Sequence, residues 1–406
     1  MMLDPASNMS AASTFPILVV SRTFFPKEGG IEEYIYNRCL QDPEQVVVLS
    51  ASLPGDQDFD QAQPFPVYRW PVPAFLQTGK LGSVLRQILY LFWSVVWAIR
   101  LYFRYRYHAI EWGHGYDFPS LLLLSYLLPC KCFLHLHGND LLCPQRHPLL
   151  QAGFTWTLNR MQGVVCNSSF TQKHLLSHFD CQVPTYVINP TVRPSKFGEA
   201  ANLQVAQCLG AEIRKQYGIH EKAIVILSVG RLVRRKGFDR VIENLPLLRS
   251  QGLEVHYLVC GRGALEAELK TLAEHLGVAD QVHFAGFVPD EQLAGYYAAC
   301  DFFSMLTFFS AEESSIEGFG IVYVEAAYFG KPVLASRIGG VVDAVHHEKN
   351  GILVDPDSPE AVSNALLRLC QDQELRKRMG IEGQRLSTQR VPYRSIYPTY
   401  SSLPNG

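Results

Sequence analysis

Continuous apolar runs recur along the first half of the chain and alternate with segments of helical character. The runs are FPILVVS from Phe15, QVVVLS, YHAIEWG, CFLHLHG and GVVCNS. Uninterrupted apolar runs of this length are typical of strands buried on both faces of a parallel sheet. Helical segments begin at Ile31 and at Thr171. The alternation predicts a doubly wound α/β domain.

The same pattern restarts after a stretch rich in proline and polar residues, INPTVRPSKFGEA, which begins at Ile188. The later runs are AIVILSVG, VHYLVCG, QVHFAGF, ACDFFSML and KPVLAS, with a helical segment from Ala264 among them. We therefore predict a flexible tail over residues 1–14, one α/β domain over 15–190 and a second from residue 191 onward. Ligand loops are expected at the carboxyl ends of the strands of each domain, where two such edges can face each other across a cleft.

Composition narrows the class of protein. The chain has 406 residues, of which 48% are hydrophobic and 18% charged, which excludes an intrinsically disordered protein. Its 36 lysines and arginines against 38 acidic residues give a net charge of −2, so we expect no nucleic acid partner. Ten cysteines without a C-x-x-C pair indicate buried thiols in a reducing compartment.

The ends of the chain and its apolar runs bear on location. The N-terminus lacks the basic region of a secretory signal peptide. The longest uncharged apolar run, between Arg86 and Arg100, is too short for a membrane-spanning helix. These features predict a cytoplasmic protein, soluble or peripheral on the cytoplasmic face of the membrane.

Two loops between a strand and a helix could bind an anion. PKEGGIEEY places Gly29 and Gly30 before a helix, where the backbone can approach a ligand and amide groups face it, although a plain turn explains the pair equally well. GRLVRRKGFDR contains Arg231 and Lys236 together with two further arginines. Its place after a buried strand favours phosphate binding over a solvated basic loop. It is not a Walker sequence, because no serine or threonine follows Lys236.

The segment SSIEGFGIVYVEAAYFGKPVLAS carries two acids beside a glycine turn. Glu317 precedes Gly318 and Gly320, and Glu325 follows eight residues after Glu317, inside a predicted helix that begins near Gly320. Carboxylates accept hydrogen bonds from sugar hydroxyls, and amide groups at a helix start favour phosphates. A helix cap and an exposed helical glutamate are the alternative, but the apolar neighbours of Glu325 weaken it. Two more glycines, in IGGVVDAVHHEKNGILVDP, repeat the pattern of a ligand-facing loop or a simple turn.

Two other kinds of site are disfavoured. In CKCFLHLHGND the two histidines lie on one face of a predicted strand and the two cysteines on the other, so they cannot bind one ion and we assign no metal. His137, at the end of the strand, is expected to face the cleft, and His135 is expected in the core. CGRGALEAE has glutamate where G-x-G-x-x-G requires its third glycine, which disfavours NAD.

These motifs together resemble the retaining glycosyltransferases of the GT-B fold, specifically the group 1 family, or family four. EGFGIVYVE is similar to that family's E-x7-E signature, GRLVRRKG to its phosphate-binding segment, PKEGGIEEY to its glycine loop and HGND to its cleft histidine. The family implies two Rossmann-like domains, an acceptor-side domain at residues 15–190 and a donor domain at residues 191–385. A crossover segment at residues 386–406 follows them. The linker sequence departs from the family, and Pro392 and Pro398 interrupt the crossover helix, which predicts that it is shortened.

The resemblance also implies roles for single residues. Arg231 and Lys236 would bind the donor diphosphate, and Glu325 would hold the ribose hydroxyls. Glu317 and the amides of Phe319 and Gly320 would hold the donor sugar, and His137 would contact it from the other domain. Gly29, Gly30 and Gly318 would also bind the donor. Sugar transfer would proceed with retention and without an obligatory metal, because fixed cations neutralise the leaving diphosphate. A UDP-, GDP- or ADP-sugar is expected as the donor, and a glycan, a lipid-linked molecule or a small molecule as the acceptor.

Alternatives remain at this stage. A nucleotide-sugar isomerase or hydrolase on the same fold would need no acceptor, and a non-catalytic sugar-nucleotide-binding subunit would turn over no donor.

For the stretch from Leu81 we predict a helix with one aromatic and basic stripe, and we propose that this stripe binds an anionic membrane surface. The stripe comprises Arg86, Tyr90, Trp93, Trp97, Arg100, Arg104 and Tyr107, with Leu81, Val84, Ile88, Phe92, Val95 and Ile99 packed on the sheet. An interdomain or acceptor-side helix is the alternative.

Overall fold

The computed structural model describes residues 17–72, 80–309, 315–389 and 391–397. These residues form two compact units. The first unit comprises residues 17–189 and 391–397, and the second begins at Pro190. The predicted N-terminal tail and the end of the crossover segment, with Pro398, lie outside the described residues.

The first unit is built on a parallel sheet whose described strands run in the order β3-β2-β1-β4-β5-β6-β7. The strands are β1 Ile17–Ser21, β2 Val46–Ala51, β3 Val67–Trp70, β4 Ala109–Trp112, β5 Lys131–Leu136, β6 Gly163–Cys166 and β7 Thr185–Val187. The helices are α1 Gly30–Gln41, α2 Asp56–Gln61, α3 Lys80–Tyr105, α4 Phe118–Leu127, α5 Asn139–Gln145, α6 Pro148–Arg160 and α7 Ser169–His178. Short 3₁₀ helices lie at Pro43–Gln45, Gly115–Asp117 and Tyr393–Ile396.

The second unit has a parallel sheet in the order β10-β9-β8-β11-β12-β13. Its strands are β8 Ile224–Val229, β9 Val255–Cys260, β10 Val282–Gly286, β11 Phe302–Met305, β12 Val333–Ser336 and β13 Gly351–Val354. Its helices are α8 Leu203–Gln216, α9 Phe238–Ile242, α10 Leu245–Ser250, α11 Glu266–His275, α12 Asp290–Ala299, α13 Ile321–Tyr328, α14 Val341–Ala344, α15 Pro359–Gln371 and α16 Gln373–Ser387. Further 3₁₀ helices lie at Pro194–Ala201, Arg234–Lys236 and Ala279–Gln281.

Each sheet is buried on both faces, as the apolar runs predict. In β1, Leu18 and Val20 belong to one apolar cluster, whereas Ile17 and Val19 belong to another. Successive side chains of a strand point to opposite faces, so a strand covered on both sides is mostly apolar, and polar residues within it need a partner. The two-domain α/β prediction, a pair of Rossmann-like parallel sheets, is confirmed.

The C-terminal segment returns to the first unit as a short turn. Helix α16 ends at Ser387, and among the described residues after Pro392 the chain forms the 3₁₀ helix Tyr393–Ile396. The buried Tyr397 hydroxyl donates to Glu111 Oε1 at 2.5 Å. Glu111 is also paired with the buried guanidinium of Arg38, at 2.6 Å. Helix α16 thus ends five residues before Pro392, and the predicted shortening of the crossover helix by the prolines stays a prediction.

The predicted orientation of helix α3 is wrong for two of the residues assigned to the core and right for two others. Ile88 and Phe92, assigned to the core, are each 55% exposed, whereas Trp93 and Trp97 are half-buried against the core. The side chain of Val95 does pack on the core as predicted, and so does that of Ile99. The side chains of Leu81 and Val84 lie outside the described residues.

Helix α3 takes this orientation because its aromatic side chains pack on β3, a strand that the sequence pattern did not indicate. In β3, Trp70 contacts Tyr90 with ring centroids 6.0 Å apart, and Tyr68 contacts Trp97 at 6.4 Å. The buried Ala98 lies on the same side of the helix. The proposed membrane stripe through Arg86, Trp93, Trp97, Arg100 and Arg104 is thus divided, because only Arg100 and Arg104 of these five are exposed.

Candidate active site

A cluster of charged side chains lies beyond the carboxyl end of β8. The chain turns there in the 3₁₀ helix Arg234–Lys236, and Lys236 Nζ donates to Glu317 Oε2 at 2.6 Å. Arg235 donates to the same oxygen from its NH1 atom at 3.2 Å. Sequence motifs 81 residues apart in the chain are therefore joined at one carboxylate.

The two cations keep Glu317 ionised. Burial by itself raises the pKa of a carboxyl group, but the charges of Lys236 and Arg235 outweigh that effect and lower the pKa of Glu317. At neutral pH the group is a carboxylate held by two neighbouring cations. The arrangement provides a fixed negative charge and fixed positive charges side by side, as a ligand with both hydroxyl and phosphate groups requires.

The glycine pair after β12 fixes the backbone beside Glu317. The amide of Gly340 donates to the carbonyl oxygen of Glu317 at 3.0 Å. Gly339 has φ +54°, and a Cβ there would lie 2.4 Å from that same oxygen. Only glycine fits this close approach, so the pair holds the Glu317 loop and is more than a simple turn.

The G-x-G sequence after β9 has a structural reason of the same kind. A Cβ on Gly261, which has φ +140°, would lie 1.9 Å from the carbonyl oxygen of Gly230. The amide of Gly230 in turn donates to the carbonyl of Cys260 at 2.9 Å. The glycine thus lets two neighbouring loops pack together and needs no dinucleotide to explain it.

Glu325 is buried in helix α13 and its carboxylate is engaged inside the second unit. It is 2% exposed, and Lys196 Nζ donates to its Oε1 at 2.7 Å. The Tyr297 hydroxyl donates to Oε2 at 2.8 Å. Lys196 also lies 3.3 Å from Asp290, whose pKa is raised by burial in spite of the attraction of Lys196. An exposed helical glutamate is excluded, and Glu325 has the paired environment expected of a buried carboxylate.

The turn between the two acids starts helix α13. Gly320 is its N-cap, with φ +89°, and the helix begins at Ile321 as predicted. Phe319 is buried in the core, and Gly318 is half-buried. Arg231, in contrast to Arg235, has an exposed side chain.

In the first unit, His137 lies immediately after β5 and is buried. Its Nε2 atom lies 2.9 Å from the carbonyl oxygen of Gly113, and its amide donates to Asp140 Oδ1 at 3.0 Å. Burial lowers the pKa of His137, although the charge of Asp140 opposes this. The ring is therefore neutral at pH 7, with its proton on Nε2 directed at the carbonyl, which leaves Nδ1 with acceptor character.

The predicted core residue His135 is buried, with Nε2 3.3 Å from Glu111. The two glycines of the glycine loop differ in the space beside them. A Cβ on Gly30 would meet nothing within 4 Å, whereas one on Gly29 would lie 2.3 Å from the Glu32 carboxylate. Glu32 is buried and lies 3.1 Å from Lys27.

Sequence reasoning missed several residues of these sites. In the sequence Arg235 is one of several adjacent basic residues, and Lys196 lies in a segment whose composition predicts a linker. Tyr297 gave no signal because a tyrosine in an amphipathic helix is ordinary.

In the first unit, His114 follows β4. Burial lowers its pKa to about 4, and its Nε2 accepts a hydrogen bond from the amide of Arg22 at 3.0 Å. Its position before a glycine at a strand end was the signal that could have identified it. Within the residues that the structure describes, no group of three or more histidines, cysteines or acids could hold a metal ion.

Comparisons with known proteins agree with this geometry. A family model described as "Glycosyl transferases group 1" matches residues 211–386, and one described as "Glycosyltransferase Family 4" matches residues 28–196. A GDP-mannose-dependent alpha-(1-6)-phosphatidylinositol monomannoside mannosyltransferase of Mycobacterium tuberculosis is 32% identical over 91% of this chain and 92% of its own. The chain belongs to the group 1 glycosyltransferases, glycosyltransferase family four.

Other members and solved structures extend the similarity. The mannosyltransferase of the same description from Mycolicibacterium smegmatis is 26% identical over 91% of this chain and 92% of its own. Anabaena HepE, solved in complex with UDP and glucose, has a TM-score of 0.72 at 21% identity, covering 95% of this chain and 99% of its own. Sucrose-phosphate synthase of Thermosynechococcus elongatus has a TM-score of 0.75 at 20% identity, covering 94% and 96%. The predicted GT-B fold and the glycosyltransferase class are confirmed.

Proposed function

We propose that this glycosyltransferase transfers mannose from GDP-mannose, with retention of configuration, to a lipid-linked acceptor of the phosphatidylinositol mannoside type. The relatives that cover nine-tenths of both chains carry this donor and acceptor in their names. The observation that carries the proposal is the ionised Glu317 held by Lys236 and Arg235 beyond the end of β8. A solved structure of the same fold contains UDP, so UDP is tested beside GDP, and ADP completes the set of donor nucleotides expected from the sequence.

The charged groups of the second unit fit the donor. Departure of a nucleoside diphosphate develops negative charge, which Lys236 and the exposed Arg231 would stabilise. Glu317 would accept hydrogen bonds from sugar hydroxyls while Arg235 keeps it in place, with the backbone from Gly318 to Gly320 beside it. No metal is obligatory in this scheme.

Glu325 would accept a hydrogen bond from the ribose, in addition to those from Lys196 and Tyr297. A carboxylate has about four lone-pair sites, so two donors leave it further acceptor capacity. The two protein donors then serve to hold the carboxylate in position.

The first unit would supply the remaining sugar contact. A neutral His137 whose Nε2 proton is directed at a carbonyl can accept a hydrogen bond from a sugar hydroxyl at Nδ1. Gly29 and Gly30 would border the donor, because the space beside Gly30 is open. The acceptor being lipid-linked, we also propose that the enzyme works as a peripheral protein at the cytoplasmic face of a membrane. No helix within the described part of the chain is long and apolar enough to cross one.

A two-stage experiment tests the function. Thermal unfolding with GDP, UDP and ADP comes first, since a ligand at about 100 times its Kd adds about 2.7 kcal/mol of stability. Donor turnover is then measured with and without a phosphatidylinositol mannoside acceptor. Transfer that depends on the acceptor supports the proposal. Conversion of the donor at the same rate without acceptor would establish an isomerase or hydrolase, and binding without any turnover would establish a non-catalytic subunit.

A further inference from the structure

The outer face of helix α3 is apolar and exposed over most of its length. Ile88 and Phe92 are each 55% exposed, and Phe103 is 65% exposed. Leu85 and Val96 continue the same line of side chains. Monomeric proteins rarely leave large contiguous apolar patches in water, and those that exist mark sites of association.

The apolar face continues onto two neighbouring helices. The Ser120 hydroxyl of α4 donates to the carbonyl of Leu91 in α3 at 3.0 Å. Tyr126 of α4, 55% exposed, lies 6.3 Å from the ring of Trp156 in α6, which is 60% exposed. Leu123 and Leu127 of the same helix are also exposed. We call this surface, formed by the exposed apolar residues of α3, α4 and α6, the apolar face.

The exposed charges of the segment that carries the apolar face are cations, and the exposed Asp180, whose backbone contacts Asn159 of α6, follows directly after this segment. Between Gln61 and Phe179 the sequence has ten lysines and arginines but only three acids, Glu111, Asp117 and Asp140. All three acids are buried. Glu111 is bound by Arg38, Asp117 by Arg22, and Asp140 accepts from backbone amides. None of the carboxylates of this segment therefore opposes an anion at its surface.

The cations, in contrast, are at the surface. The side chains of Arg100, Arg104 and Arg106 are exposed at the C-terminal end of α3. Arg160 of α6 is exposed and its guanidinium lies 4.6 Å from the ring centroid of Tyr126. Apolar and aromatic side chains are thus interleaved with cations on three adjoining helices.

We infer that the apolar face is a docking surface for an anionic lipid bilayer. A bilayer interface offers hydrocarbon to Ile88 and Phe92, a polar boundary to aromatic rings such as Trp156, and anionic headgroups to the arginines. A partner protein or a second copy of the chain would have to offer an acidic rim around an apolar centre. The inference rests on the proposed function in one respect, since a lipid-linked acceptor lies in a membrane. The surface chemistry by itself supplies the rest.

The experiment measures partition of the full chain onto vesicles of phosphatidylcholine with and without phosphatidylglycerol, by flotation. Arg100→Glu with Arg104→Glu should lower partition onto the anionic vesicles at least about 30-fold, because each cation contributes about 1 kcal/mol. The matched control is Lys215→Glu with Lys222→Glu, an equal charge change at exposed positions of the second unit, which should change partition far less.

A second pair of variants tests the apolar contribution. Ile88→Ser with Phe92→Ser should lower partition about 10-fold or more, through loss of buried apolar area. The control is Leu247→Ser with Ile381→Ser in the second unit, whose side chains are also exposed. Thermal stabilisation by the nucleotide should be the same in all variants, which shows that they are folded.

Three results would overturn the inference: no partition onto anionic vesicles at low salt, equal losses in the test and control variants, or a vesicle-free dimer that Phe92→Ser dissociates. The last result would assign the apolar face to a second copy of the chain. The proposed function fails by a different observation, absence of sugar transfer to an acceptor, so the two failures are distinguishable. Vesicle binding without transfer refutes only the function, and transfer to a detergent-solubilised acceptor without vesicle binding refutes only the docking surface.

Discussion

Replacing Lys236 with methionine tests whether this cation acts on the leaving diphosphate or only on Glu317. In the structure Lys236 Nζ lies 2.6 Å from Glu317, and Arg235 lies 3.2 Å from the same oxygen. If Lys236 stabilises the developing charge, its loss should lower kcat/KM by roughly 10²–10³-fold, since that is the typical cost of one preorganised contact at a reaction centre. The aliphatic stem of methionine keeps the packing, so the change is close to a removal of charge alone.

Lys236→Met should lower the free energy of unfolding by less than it lowers the stabilisation of the transition state. A hydrogen bond to a charged group contributes about 1.5–3 kcal/mol, and we expect the lower end of this range because Arg235 remains paired with Glu317. The loss should depend on pH. Lys236 lowers the pKa of Glu317, so its stabilising effect is complete above the unfolded-state pKa of a glutamate and disappears as the pH falls through the folded-state value. Urea unfolding of the wild type and the variant should therefore differ at pH 7 and converge in acid.

A double-mutant cycle separates the two roles. Lys236→Met is measured in the wild type and in the Glu317→Gln background, with kcat/KM as the readout and Arg234→Met as the matched control. Arg234 is exposed and paired with Glu268 instead of Glu317. If Lys236 contacts the diphosphate, most of its loss should persist after Glu317→Gln. No further loss in that background would refute the diphosphate role and leave Lys236 as a positioning residue for Glu317.

Three further outcomes are expected. Glu325→Gln should weaken binding of the free nucleoside diphosphate more than Glu317→Gln does, by calorimetry, because that ligand has a ribose but no transferred sugar; equal losses would contradict the division of roles. Burial and an adjacent histidine lower the pKa of His283 to about 4, so its contribution to stability is present above the unfolded value of 6.5 and lost toward pH 4; His283→Gln should remove about 1 kcal/mol of this dependence in acid unfolding, after allowance for solvent screening, and an unchanged profile would exclude the effect. Arg38→Met should destabilise the first unit by about 3–5 kcal/mol because it leaves Glu111 charged and buried, whereas Arg38→Met with Glu111→Leu should recover most of that loss; equal destabilisation in thermal unfolding would argue against the ion pair as the cause.

Much of the fold follows from local sequence. The runs that became β1, β2 and β8 are apolar except for one buried serine each, Ser21, Ser50 and Ser228, because both faces of the sheet are covered, and this pattern needs no knowledge of distant contacts. Short strands such as β3 and β7 were missed, since they carry polar or aromatic residues on a half-covered face. For the candidate site, the motif resemblance indicated Glu317, Glu325 and Lys236 by spacing alone. Their assigned roles remain predictions.

The partners of these residues were decided by tertiary structure. Lys196 and Tyr297 both reach Glu325, although they lie 129 and 28 residues from it in the chain. No local pattern records such a meeting, because it depends on how strand order brings separate loops to one edge of a sheet. Within the 3₁₀ helix Arg234–Lys236, Arg235 and Lys236 are turned inward to Glu317, whereas Arg234 is exposed and pairs with Glu268.

The rotation of α3 illustrates the same limit. Its sequence is amphipathic in two ways, with one aromatic stripe and one aliphatic stripe, and a helical period alone cannot choose which stripe is buried. Tyr68 and Trp70 of β3 decide the matter by packing on the aromatic stripe. The sequence therefore determined that a long amphipathic helix exists, and the neighbouring strand determined which side of it faces the solvent.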